Sequence, residues 1–225
     1  MTSFPSEQVE QAPAHEVARL SAGLLGKIMG LLAFSLVFAT VGGVVGAQLG
    51  RGWLLPLIIV EFGLIFAVQA LRDREGLNFV MLYAFAFVSG MTIGPIVASY
   101  AQAGAGSAIL QAAATTGVMT AGLSAYALTT KRDLRAIRPL LMIALIGLLV
   151  AMLVSLFTGG AYFRGAISWG GALIFSGLLL VDVNRARSMP DTMGNAVVLT
   201  LGIYLDIVNL FLFLLRIFGG GGGRR

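Results

Sequence analysis

Two carboxylates stand inside long apolar runs of this sequence: Asp182 in GLLLVDVNR, residues 177–185, and Asp206 inside NAVVLTLGIYLDIVNLFLFLLRIF, residues 195–218. An acid at the centre of a membrane helix costs roughly 2.5–3.5 kcal/mol on insertion scales, so it is seldom kept without a role. Two of them on consecutive apolar runs point to one site. Carboxylates that share a poorly hydrated site cannot both ionise cheaply, so the pair titrates as a unit and holds a proton between its members. Tyr204 precedes Asp206 and Asn209 follows it by one turn. A second ionisable pair lies far upstream: Glu61 in the middle of an apolar run and Arg72 at its end. Eleven residues of helix bring these two to within roughly 20° of one face, some 16 Å apart along the axis. Arg72 then reaches the depth of Asp182, and the spacing predicts a proton-sensitive latch: Asp182 and Asp206 as coupled sensor, Arg72 as the cation they hold when charged and release when protonated. Plainer readings stand beside this one, with Arg72 an interfacial anchor and Asp182 snorkelling to the surface.

The chemistry that remains around these residues is narrow. Cysteine is absent, which excludes disulfides, thiolate metal sites and thiol catalysis. The only histidine, His15, lies in a polar N-terminal stretch, so a His-ligated metal, a haem held by His or a Ser-His dyad has no donor within the apolar runs. No cofactor is expected.

The elements that position these groups follow from composition. With 58% hydrophobic and 11% charged residues in 225, the chain departs from soluble domains, where about 25% are charged. It reads as an all-α integral membrane protein whose partner is the lipid bilayer. The net charge of +5 comes from basic residues in short gaps between apolar runs, which fits topology signals and headgroup contacts, not nucleic acid. Seven runs approach the ~20 residues a span requires: about 28–49, 53–72, 78–100, 106–129, 139–158, 165–187 and 193–217. Their length and lack of dyad alternation indicate helices, not barrel strands. Residues 1–27 are expected to form a polar tail, 28–218 a single seven-helix domain, and 219–225 a flexible Gly/Arg tail.

Ten basic residues fall on one side of this arrangement (Arg19, Lys27, Arg72, Arg74, Lys131, Arg132, Arg135, Arg138, Arg185 and Arg187) and five on the other (Arg51, Arg164, Arg216, Arg224 and Arg225). The bias places the N-terminus in the cytoplasm and, if the last span crosses fully, the C-terminus outside; a last helix that re-enters at Asp206 would leave the C-terminus cytoplasmic. Gly26 with Gly30, Gly42 with Gly46 and Gly90 with Gly94 stand at the spacing through which membrane helices approach closely.

The segments YLDIVNLFLFLLRIFG, from Tyr204 to Gly219, and LLLVDVNR, from Leu178 to Arg185, resemble the signature of the Bax inhibitor-1 family, and YAFAFVSGMTIGPIV, from Tyr83 to Val97, is similar to its third-span motif. The resemblance implies a seven-helix membrane protein with a central C-terminal helix, and a pH-sensitive calcium leak of the kind described for bacterial members. It also implies that the paired aspartates are Asp182 and Asp206 and that the second-span glutamate and arginine are Glu61 and Arg72. One departure is Val181, where the family often has tyrosine.

The leading expectation, with calcium selected by the resemblance alone, is thus a pH-regulated calcium leak in a bacterial inner membrane, with calcium a permeating or weakly bound ion at Asp182 and Asp206 and with Glu61 and Asn209 along the ion pathway. Hard carboxylate oxygens suit a hard cation, and conduction requires sites weak enough to leave. A non-conducting regulator that binds another membrane protein is the alternative. An intramembrane aspartyl protease is more remote: its second aspartate follows Gly-x-Gly, whereas Asp206 follows Ile203-Tyr204-Leu205 with Gly202 out of register. The chain is therefore expected not to be an enzyme.

Overall fold

The computed structural model describes residues 14–74, 76–157 and 164–220, with side chains described from Gly23 onward except those of Arg51 and Leu156. Among the described residues there is helix and turn but no strand: α1 (Ala14–Gly46), α2 (Leu54–Ala70), α3 (Leu77–Gln102), α4 (Gly106–Thr129), α5 (Arg138–Phe157), α6 (Arg164–Ala186) and α7 (Met193–Gly220). Short 3-10 turns, Arg51–Trp53 and Leu134–Ile137, lead into α2 and α5. Six helices are long and apolar enough to cross a membrane, α1 from Gly23 onward and α3 to α7, while α2 is a shorter apolar helix of 17 residues. The polar stretch is already helical from Ala14, where Ala, Glu and Leu favour helix whatever their polarity. The last helix runs on to Gly220, and the rest of the Gly/Arg tail lies outside the described residues.

The outward faces explain the composition. Phe34, Leu110, Val118, Ile143 and Leu173 are each more than half exposed. Water would not tolerate such a surface, and hydrocarbon does. The buried faces meet around α7, which packs against α1, α3, α4 and α6 and reaches α2. Around its first half, Tyr204 meets Phe85 edge-on at 5.6 Å, beside Leu179 and Val197. Around its second half, Phe213 stacks on Phe175 at 5.8 Å, beside Leu210 and Leu215.

The tightest packing is between α1 and α3. A Cβ at Gly42 would fall on the Phe87 carbonyl, one at Gly46 on that of Met91, one at Gly90 on that of Ala39, and one at Gly94 on that of Gly43. Four missing side chains therefore set backbone against backbone, and α3 passes Pro95 without interruption. Gly26 and Gly30 do not join them: both are exposed, and a Cβ at either meets nothing within 4 Å.

One end of the bundle is tied by polar bonds. Lys27 on α1 pairs with Asp191 in the α6–α7 turn at 2.9 Å. Asn184, buried near the end of α6, donates to the Ala127 carbonyl at 3.1 Å and accepts from the Leu134 amide at 3.2 Å. Arg187 donates to the carbonyls of Ala127 and Thr130, so the C-terminal end of α4 meets a cation, as its dipole favours. Asp133 opens the second 3-10 turn by accepting from the Arg135 amide at 2.9 Å. Hydrogen bonds from the Arg135 side chain and backbone hold its exposed carboxyl below the usual carboxylate range, so this turn keeps its cap at mildly acidic pH. Replacing Asn184 by alanine leaves the Leu134 amide unpaired and the Ala127 carbonyl with only the longer bond from Arg187. It is expected to lower stability by about 1–3 kcal/mol, checked by steric-trap unfolding in bicelles.

Candidate functional site

Asp182 and Asp206 are brought together by the α6–α7 contact. A Cβ at Gly202 would lie 2.5 Å from Asp182 Oδ2, so the missing side chain on α7 makes room for the carboxylate of α6. Asp206 lies one helical turn further along α7, about 6 Å deeper. It is 5% exposed, and Asp182 lies within electrostatic reach of it. Asp182 Oδ1 and Asp206 Oδ2 are both buried without a hydrogen-bond partner. Two anionic oxygens in that state are costly unless a proton, a cation or water serves them.

The cation facing the pair is Arg138, not Arg72. Its Nη2 lies 3.9 Å from Asp182 Oδ1, and its Nε is buried with no partner. Its charge acts on both acids, and that of Arg185 acts on Asp182. Arg72 instead is exposed after the end of α2 and pairs with its neighbour Asp73 at 3.2 Å. The reason is local: α2 ends at Ala70, so Arg72 leaves the helix before the face calculated from Glu61 can be continued. Its carbonyl accepts from Asn78 at 3.0 Å and lies beside Gly194, which fixes the turn against the start of α7.

Glu61 belongs to a separate polar cluster. Thr92 on α3 donates to Glu61 Oε2 at 3.0 Å, and Ser89 lies within hydrogen-bonding reach of both Glu61 and Tyr204. Tyr204 precedes Asp206 by two residues, some 200° around α7, so this cluster of α2, α3 and α7 sits on the opposite face from the aspartates. Asn209 donates to the Leu205 carbonyl at 2.8 Å, within its own helix. Val181 is fully buried and supplies no hydroxyl to the pair. Among the described residues no three of His, Cys, Asp and Glu gather as a metal cluster, and the pair stands as two acids and an arginine.

A sequence model of the family Inhibitor of apoptosis-promoting Bax1 matches residues 22–223. The chain belongs to the Bax inhibitor-1 family. It is similar to an uncharacterised protein of Campylobacter jejuni, 38% identical over 196 residues that cover 83% of this chain and 84% of the relative. It is also similar to a membrane protein of Vibrio cholerae, 32% identical over 84% of this chain and 85% of the relative. Inner membrane protein YbhL of Escherichia coli is 30% identical over 75% of each chain. This family member is thus a helical membrane protein, in accord with its outward apolar faces.

Arg138 is the residue that reading along the chain misses. It is the last of four basic residues between Lys131 and Arg138 and counts there only as a topology signal. Its one distinguishing mark is position: it directly precedes Pro139 and opens α5, so it alone of the four is carried on the first turn of a span.

Proposed function

We propose that this Bax inhibitor-1 family member is a proton-regulated cation leak, with calcium as the permeating ion and Asp182 and Asp206 as the sensor. The observation that carries the reading is a pair of buried carboxylates, each with an unpartnered oxygen, facing one arginine across a helix contact. Such a pair has two states of comparable cost: charged and held to a cation, or sharing a proton and released from it. Arg138 takes the part of the latch. The pair binds a hard cation with oxygen ligands only, and two carboxylates make a site weak enough for an ion to leave. Asn209, one turn beyond Asp206 on α7, extends the ion pathway in this reading, while Glu61 and Tyr204 line the opposite face of that helix.

In this reading α2 is the second of seven spans: its 17 residues give about 25 Å, and the preceding 3-10 turn completes the crossing. The basic end of the bundle faces the cytoplasm by the positive-inside bias, and the membrane is a bacterial inner membrane. No catalytic role is assigned to either aspartate.

Calcium flux into proteoliposomes, measured from pH 5 to pH 8, tests the reading. Asp206→Asn and Asp182→Asn each leave one acid that no longer shares a proton, so the pH dependence of flux is expected to flatten in both. A pH profile unchanged in both variants overturns the sensor, and no flux at any pH from the unaltered protein overturns the leak.

A further inference from the structure

We propose that the groove between α1 and α4 holds one acyl chain of an anionic phospholipid, whose phosphate is gathered by the basic residues at the groove's cytoplasmic mouth. The helices α1 and α4 each pack on α7, yet a cavity of about 1180 Å³ separates them. That exceeds the ~300–1,000 Å³ of ordinary small-ligand sites. One wall runs along α1 from Leu25 to Ala47 and the other along α4 from Ala113 to Leu128, with Ile207 and Phe211 of α7 at the back. These walls are about 33 Å and 22 Å long, against a hydrocarbon core of ~30 Å. The groove therefore runs parallel to lipid chains and is deeper than one leaflet. It opens sideways: Met29 and Val44 on its α1 rim are more than 60% exposed. Gly117, where a Cβ would meet nothing within 4 Å, leaves the α4 wall shallow. A void of this shape, lined by aliphatic groups and facing hydrocarbon, fills with hydrocarbon.

Charge selects the headgroup. Lys27 stands on α1 between the lining residues Leu25 and Ile28, and Lys131 and Arg132 follow directly on the α4 turn that ends the opposite wall at Leu128. Lys27 is engaged by Asp191, and Asp133 by Arg135, so neither acid offsets Lys131 and Arg132, which are exposed. An anionic headgroup is favoured there by each nearby basic residue, a zwitterionic one much less.

The test uses the purified full chain with phosphatidylglycerol or phosphatidylcholine of identical acyl chains. Native mass spectrometry is expected to retain one phosphatidylglycerol with about ten-fold preference. The preference should vanish in Lys131→Gln/Arg132→Gln, and the bound lipid in Gly117→Leu/Ala121→Leu. A reporter that does not depend on the filled variant is Val44→Trp in a Trp53→Phe/Trp169→Phe background: dibrominated phosphatidylglycerol should quench it more strongly than dibrominated phosphatidylcholine. Equal retention and equal quenching by the two lipids overturn the proposal. So does a dimer cross-linked through Val44→Cys and Val118→Cys, which would place a second copy in the groove.

Discussion

Gly90→Ala is expected to destabilise this protein by about 3 kcal/mol or more, and Gly26→Ala by less than about 0.5 kcal/mol, although both glycines head the same small-xxx-small spacing. The added methyl at Gly90 would land on the Ala39 carbonyl of α1, which is backbone and cannot rotate away. Adding a methylene to a packed interior ordinarily costs about 1–3 kcal/mol, through side chains that shift to accommodate it. Here a whole helix must shift, and it carries Gly42, Gly43 and Gly46 against Phe87, Gly90, Gly94 and Met91. The loss therefore includes contacts on both sides of the substituted residue. Gly26 projects to the outside with nothing within 4 Å, so its methyl exchanges one lipid contact for another. Steric-trap unfolding of the two variants in the same bicelles measures the difference. Equal losses would mean that α1 and α3 do not meet through their glycines.

That contrast marks how far the sequence could be read. Helical class, the number of apolar runs and most boundaries follow from hydropathy alone, because hydrocarbon leaves the backbone few options. The expected run at 106–129 coincides with Gly106–Thr129, and 165–187 lies within one residue of Arg164–Ala186. Which face of a helix meets which neighbour is a different matter. Gly26, Gly42 and Gly90 are alike in spacing, and only the path of α3 across α1 separates them. The same holds for the charged groups. Asp182 and Asp206 were legible as a pair because one short hairpin joins their helices. Glu61 and Arg72 were joined by helical periodicity, which assumes that the helix continues, and α2 stops at Ala70. Arg138 was hidden by the opposite effect: a run of four basic residues satisfies the topology rule as a group, and periodicity has nothing to say about the one that opens the next helix. Ser89 and Thr92 sit in the third-span motif beside Gly90 and Gly94, so that motif joins a packing surface to the polar partners of Glu61.

Exchanging each candidate latch for glutamine separates the two arginines by a large effect. Removing the Arg138 charge takes away the cation 3.9 Å from Asp182, and a proton shared by the pair, as proposed above, would then compete with nothing on that side but Arg185. In the proposed reading the midpoint of the flux profile in Arg138→Gln is therefore expected to move to higher pH, because an opposite charge favours the ionised acid and is now gone. The half-exposed guanidinium is screened by water, which keeps the shift well below that of a fully buried pair. The direction does not depend on whether the protonated or the charged pair conducts, because either state is reached at a higher pH once the cation is gone. Arg72→Gln removes a charge paired with Asp73 on an exposed turn, and its profile is expected to stay within about 0.2 unit of the parent. Arg138→Lys keeps the charge but not the planar fork, so it should restore the midpoint and lose part of the steepness. A midpoint that moves with Arg72→Gln and not with Arg138→Gln would return the latch to the second helix, and would require α2 to extend beyond Ala70 when the pair is charged.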